Sequence, residues 1–334
     1  MVHSGSTIDF GGLAAPLQMV IYTLSLTYLA FYGNNPTQRR ILSQKVRQAC
    51  EKYGFFQIVN HLVPSALQEA ILEQSRAFFC LPREVKEQYD KDGGYRGYER
   101  LQARGDLQEA YYLGKDMRID HPTVLAGKFS HGPNKYPTEV KDPILFRRVV
   151  DDYHVHLSRL AEDILEVLAE TLNLSSDWFE AHGFCHDPIA NLRLLHYPAA
   201  CENTGAQEKA NGFRAHTDFG AITILLQDGT SGLQVWDKDC SQWMQMDPVP
   251  GAFVVNLGDM MMWLTGNRYI SNLHRVVNNS CRDRYSVPFF YSGNPDFALA
   301  RLPGWENREE VADAPIGTVN DWMTGKYKDA CLRD

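Results

Sequence analysis

The stretch "GFRAHTDFGAITILLQD", Gly212 to Asp228, places a histidine and an aspartate two residues apart, immediately before an apolar run. In an extended strand, residues i and i+2 point to the same face, so His216 and Asp218 project together and Thr217 points away. An imidazole and a carboxylate so arranged can reach one metal ion from one strand end. In a chain with 11 histidines the pair is weak by itself, since it also describes an ordinary polar strand end. It needs a third ligand brought in from a neighbouring strand.

The surroundings supply strands. From about Ile189 the chain reads as short β-rich runs: "LRLLHY", "AITILLQ", "GLQVWD", "WMQM", "AFVVNLG" and "YSVPFFY", separated by Gly, Pro, Asp and Asn. Close spacing without long helices is the pattern of an all-β sandwich or barrel and disfavours a parallel βαβ sheet. Upstream the chain reads as helical. Asn35 and Pro36 open a helix whose stripe is Leu42, Val46, Ala49 and Tyr53, Gly54 ends it, and "FFQIV" follows as a buried strand. "VPSALQEAILEQSRAFFCLP" reads as a second helix, and the longest runs from about Val150 to Leu172. The expected fold is mainly β with flanking helices. Its parts are an atypical segment over 1–34, a helical region over 35–185, a β core over 186–300, and a tail with a helix over 301–334.

At 334 residues with 44% apolar content, 16 Phe, 16 Tyr and 6 Trp, the chain can fill a large core. A net charge of -8 without basic clusters argues against a nucleic-acid surface. Seven irregularly spaced cysteines without a CxxC pair argue against a zinc ribbon or a disulfide framework and fit a reducing, cytoplasmic setting. One segment is unusual. "LAAPLQMVIYTLSLTYLAFY", residues 13–32, is uncharged and long enough to cross a bilayer. No Lys or Arg precedes it, while Arg39, Arg40 and Lys45 follow, so an anchor here would leave the body in the cytosol. The alternatives are a buried element or an insertion over about residues 12–33 that stands outside the catalytic fold.

The candidate third ligand is His274, in "ISNLHRVV". Two His and one carboxylate on one face of an ion form the facial triad of non-haem Fe(II) oxygenases, which leaves adjacent positions for a chelating co-substrate and O2. Ten residues later "RYS" sets Arg284 and Ser286 on one strand face. A guanidinium with a hydroxyl beside it grips a carboxylate well, as the far end of 2-oxoglutarate would require.

These motifs, with "VPGAFVVNLGD", "LHRVV", "RYSVPFF" and the upstream "ACEKYGFFQIVNH", resemble the 2-oxoglutarate/Fe(II)-dependent dioxygenases of the isopenicillin N synthase-like family over about residues 39–300. The resemblance implies a double-stranded β-helix (jelly-roll) core with iron on His216, Asp218 and His274. It implies Arg284 and Ser286 on the 5-carboxylate of 2-oxoglutarate, with Tyr197 of "LRLLHYP" against the co-substrate. It also points to Tyr98, in "GGYRGY", Tyr111, in "EAYYLG", and Phe290 as residues near the substrate. The expected reaction is oxidation of a C–H bond of a small organic substrate by Fe(II), 2-oxoglutarate and O2, releasing succinate and CO2. The alternative within the fold is an oxidase that uses O2 without 2-oxoglutarate. Two features depart from the family pattern: Leu195 and His196 stand before Tyr197, and the uncharged N-terminal segment interrupts the opening strand and helix.

Overall fold

The computed structural model describes residues 26–27, 29–33, 35–101, 108–199, 211–278, 280–305 and 317–333. Two β-sheets face each other. The larger has eight strands in the order β1 (Leu26–Thr27), β2 (Phe55–Val59), β10 (Phe253–Leu257), β7 (Ile222–Gln227), β12 (Arg284–Gly293), β5 (Ile189–Tyr197), β4 (Gln108–Gly114) and β3 (Gly97–Leu101). The smaller has four, in the order β6 (Asn211–His216), β11 (His274–Val277), β8 (Leu233–Asp237) and β9 (Gln242–Gln245). Apart from the short β1–β2 pair, neighbours are antiparallel. This is the jelly-roll core with flanking helices that the family resemblance implies, built from the short strands that the alternating runs predict.

Helices cover the outer face of the larger sheet. The Pro36–Lys52 helix is capped by Asn35, whose side chain accepts from the Thr37 and Gln38 amides at 3.1 and 3.2 Å. It turns into β2 at Gly54, whose φ of +66° and whose approach to the Ile270 carbonyl leave no room for a Cβ. The longest helix, Pro143–Thr171, starts two turns before the periodicity alone suggested, because Pro143 occupies its first turn and Asp142 caps Leu145 at 2.9 Å. Its Phe146, Val150, Tyr153 and Leu157 join one apolar core with Phe289 and Tyr291 of β12.

The N-terminal half is less helical than its sequence suggests. Residues 97–114 contribute the β3–β4 hairpin, which extends the larger sheet past β5. Part of the uncharged segment is docked on the fold: Leu26 and Thr27 pair with Ile58 and Val59, and Phe31 is buried under the Arg39 guanidinium. Residues 13–25 of that segment lie outside the described residues. Among the described residues, no helix is long and apolar enough to cross a membrane.

Candidate metal centre

The smaller sheet brings the two histidines together. Register pairs His274 of β11 with His216 of β6 directly, and their rings lie 4.2 Å apart between centroids. Asp218 follows on the loop from β6 to β7. Its Oδ1 lies 3.8 Å from Nε2 of His216 and 3.8 Å from Nε2 of His274. One ligand atom from each of the three residues falls within 4.8 Å of the others. That spacing suits three ligands around one ion with bonds of about 2.0–2.2 Å, as typical for imidazole and carboxylate donors.

The orientation of each ligand is fixed from behind. The Nδ1 atoms of His216 and His274 meet the carbonyls of Arg214 and Asn272 at 3.0 and 3.1 Å. Carbonyls only accept, so each Nδ1 carries the proton and each Nε2 lone pair is directed into the site. Asp218 Oδ2 accepts from Thr223 Oγ1 at 2.6 Å and from Asn256 Nδ2 at 2.7 Å, which turns Oδ1 toward the histidines. Burial, with the neighbouring His274, pushes the His216 imidazole below its ordinary range, so it stays a neutral donor. Burial would raise Asp218, but the two histidines and the two hydrogen bonds outweigh it and hold the carboxyl below its usual range. Behind the loop, Gly258 packs so tightly on the carbonyls of Gly220 and Asp218 that a Cβ would collide with them. The C-terminal helix, Val319–Arg333, secures the same loop through Trp322 Nε1, which donates to the Phe219 carbonyl at 2.8 Å.

The larger sheet forms the opposite wall. Arg284, Ser286 and Phe290 of β12 share its inner face with Leu195 and Tyr197 of β5, since Arg284 pairs with Tyr197 and Ser286 with Leu195. Arg284 is fully buried (0% exposed) and donates only to neutral groups: Ser286 Oγ at 3.2 Å, Gln227 Oε1 at 2.9 Å and the Thr230 carbonyl at 3.3 Å. Its guanidinium carbon lies 5.0 Å from the centre of the buried Tyr197 ring. Burial lowers its pKa, but an arginine remains charged across the physiological range. A buried cation without a carboxylate partner among the described residues is costly unless an anion completes it. The far carboxylate of 2-oxoglutarate fits that requirement.

Two of the expected substrate residues lie elsewhere. Tyr98 and Tyr111 pair across the β3–β4 hairpin, and both side chains point to the helix-covered face. Tyr111 stacks on Phe78 at 4.0 Å, and the Tyr98 hydroxyl donates to Glu109 at 2.8 Å. Alternation along β4 puts Tyr112 on the inner face, so the sequence reading was one residue out of register. His196, part of the departure before Tyr197, likewise faces outward, stacked on Tyr285 and bonded to Glu109 at 3.2 Å. Thr223, Asn256 and Gln227 were not anticipated as site residues. A usable signal was present, because a polar side chain in an otherwise apolar buried strand such as "FVVNL" needs a partner.

The comparisons agree with this geometry. Residues 24–139 match the model described as non-haem dioxygenase in morphine synthesis N-terminal, and residues 188–293 match that of the 2OG-Fe(II) oxygenase superfamily. A curated relative, the 2-oxoglutarate-Fe(II) type oxidoreductase hxnY of Emericella nidulans, is 42% identical over 313 residues, covering 91% of this chain and 88% of the relative. The crystal structure of JOX2 in complex with 2OG, Fe and JA superposes with a TM-score of 0.70 at 31% identity, covering 85% of this chain and 81% of that one. The Neurospora crassa T7H structure with alpha-KG reaches a TM-score of 0.78 at 23% identity, over 91% and 94% of the two chains, and supports the fold alone.

Proposed function

The chain belongs to the 2OG-Fe(II) oxygenase superfamily, and from that premise we propose which of its residues carry the chemistry. It is a non-haem Fe(II)- and 2-oxoglutarate-dependent dioxygenase, an oxidoreductase that acts on a small organic molecule. His216, Asp218 and His274 would hold the Fe(II). Arg284 and Ser286 would hold the 5-carboxylate of 2-oxoglutarate, with Tyr197 packed beneath the guanidinium. Bound iron supplies the means to couple O2 and the oxidative decarboxylation of 2-oxoglutarate, to succinate and CO2, to oxidation of a substrate C–H bond.

The protein's own work is placement. Backbone carbonyls keep both histidines in one tautomer. Thr223 and Asn256 hold one oxygen of Asp218 and leave the other for the metal. The buried Arg284 keeps the co-substrate's far end in a dry pocket, where a charge-assisted contact is strong. Phe55, edge-on to His274 at 5.3 Å, and Phe213, edge-on to His216 at 4.7 Å, pack against the two imidazoles.

The observation that carries this reading is the pairing of an inward-facing triad with a fully buried guanidinium on the opposite wall. The 2-oxoglutarate-dependent family and relatives favour 2-oxoglutarate as the anion held by that guanidinium, and the oxidase that uses O2 alone is not favoured. Stoichiometric succinate release, abolished in His274→Ala and sharply reduced at limiting 2-oxoglutarate in Arg284→Met, tests it. Consumption of O2 without succinate would sink it. We further infer that the catalytic unit spans 35–300, with a helical region over 35–185 and the jelly-roll core over 186–300. We also infer that it acts in the cytosol without a nucleic-acid partner, with a membrane attachment through residues 13–32 as the alternative. The seven irregularly spaced cysteines without a CxxC pair support a reducing compartment.

A further inference from the structure

A second arginine faces the same cavity. Arg193 lies on β5, on the inner face that also carries Leu195 and Tyr197, and pairs in register with Tyr112 of β4. Its guanidinium carbon sits 4.6 Å from the centre of the Tyr112 ring and 4.5 Å from that of the Phe290 ring. Two aromatic faces therefore hold the group, a geometry that fixes its plane and leaves its N–H edge as the working surface.

Arg193 donates no hydrogen bond and makes no ion pair to any described residue, and its buried Nε has no partner. Its surroundings explain why. Glu99, the carboxylate beside Tyr112, accepts from the Tyr112 hydroxyl at 2.6 Å and pairs with Lys91 at 2.8 Å. Other half-buried arginines find an acceptor: Arg39 pairs with Glu170 at 2.6 Å, Arg268 with Glu51 at 2.5 Å, and Arg275 donates to Gln234 at 2.8 Å.

A charge balance gives the sign of what is missing. On the proposed iron reading, the two positive charges of Fe(II) and the one of Arg284 are balanced by Asp218 and by dianionic 2-oxoglutarate. Arg193 is left over, half-buried on the inner face of the larger sheet. We propose that Arg193, clamped between Tyr112 and Phe290, is the residue that selects the substrate, and that the substrate is a small monocarboxylate with an apolar or aromatic body. A carboxylate matches the guanidinium edge bidentately, and the half-exposed faces of Phe290, Tyr112 and Phe213 line the space for the body. This inference rests on the iron and 2-oxoglutarate assignment above and adds the substrate's chemical class to it.

The test uses full-length protein loaded anaerobically with Fe(II) and 2-oxoglutarate, with loading verified by the visible absorption band of the chelate. Binding of benzoate, phenylacetate and hexanoate is then measured by calorimetry against their neutral amides. At least one acid should bind roughly 10- to 100-fold more tightly than its amide, the range for a charge-assisted contact. That preference should vanish in Arg193→Gln and survive in part in Arg193→Lys, with the chelate band and the 2-oxoglutarate affinity unchanged in both. If no acid of the panel binds more tightly than its amide, the proposal is overturned. Weakened 2-oxoglutarate binding in Arg193→Gln also overturns it, because the arginine then serves the co-substrate. Absence of the band in the wild-type protein is a separate failure, that of the iron reading itself, and removes the premise.

Discussion

Replacing Asn256 by Leu tests how the carboxylate ligand is aimed. Asn256 is 4% exposed and gives Asp218 Oδ2 one of its two hydrogen bonds, at 2.7 Å, while Thr223 gives the other at 2.6 Å. Leu has the same branched heavy-atom skeleton as Asn, so the packing of β10 between β2 and β7 should largely persist. A hydrogen bond to a charged acceptor contributes about 1.5–3 kcal/mol. If that loss falls on metal binding, Fe(II) affinity drops roughly 10- to 150-fold, in line with the 10- to 100-fold typical of residues that orient metal ligands. Thr223→Val should show a loss of the same size. In the double variant nothing restrains Oδ2, so the loss should exceed the sum of the two, as expected for residues in one network. The assay is anaerobic competition for Fe(II) against a chromophoric chelator, with the thermal midpoint of each variant as a check on folding. Folded single variants that bind Fe(II) within about twofold of wild type would refute the idea that these bonds aim Oδ1.

Three further outcomes follow from the same structure. Arg284→Met should weaken 2-oxoglutarate binding by roughly 10- to 150-fold, read by calorimetry in the presence of Fe(II), and leave Fe(II) affinity itself near wild type. Tyr111→Ala should lower stability by about 3–5 kcal/mol in a denaturant titration, because the stacked contact with Phe78 is lost from the core, with little change in the KM for 2-oxoglutarate. Glu109 gives a pH dependence of known sign. Burial would raise its pKa, but bonds from His196, Lys86 and Tyr98 outweigh it and hold the carboxyl down to about 2, against an ordinary 4.5. Its contribution is therefore present above about pH 4.5 and lost as pH falls toward 2, so Glu109→Gln should flatten the thermal midpoint across that window.

Much of this molecule was legible in its sequence, for identifiable reasons. Short alternating strands encode a sandwich because one face of each must be apolar, and "HTD" and "RYS" stand out because period-two spacing puts both members of each pair on one face. What failed to show is what depends on partners distant in sequence. The hairpin of Gly97–Leu101 and Gln108–Gly114 contains Tyr, Glu, Gln and Arg, which give no clear alternation, and becomes a sheet edge only by pairing with β5. Tyr111 was preferred to Tyr112 because nothing local says which face of β4 meets the cavity. Arg193 looks like any exposed strand cation until Tyr112 and Phe290 arrive on either side of it, from strands more than 80 residues apart in one case and fewer than 100 in the other.

The most direct measurement is an anaerobic titration of Fe(II) and 2-oxoglutarate into the wild-type protein, watched for the visible absorption band of the chelate and repeated on His216→Ala and Arg284→Ala. A band in the wild type that is absent in His216→Ala, and that requires far more 2-oxoglutarate in Arg284→Ala, is the predicted result. Tight Fe(II) binding with no band at saturating 2-oxoglutarate, or an undiminished band in either variant, would contradict the assignment of the triad and the buried arginine to one site.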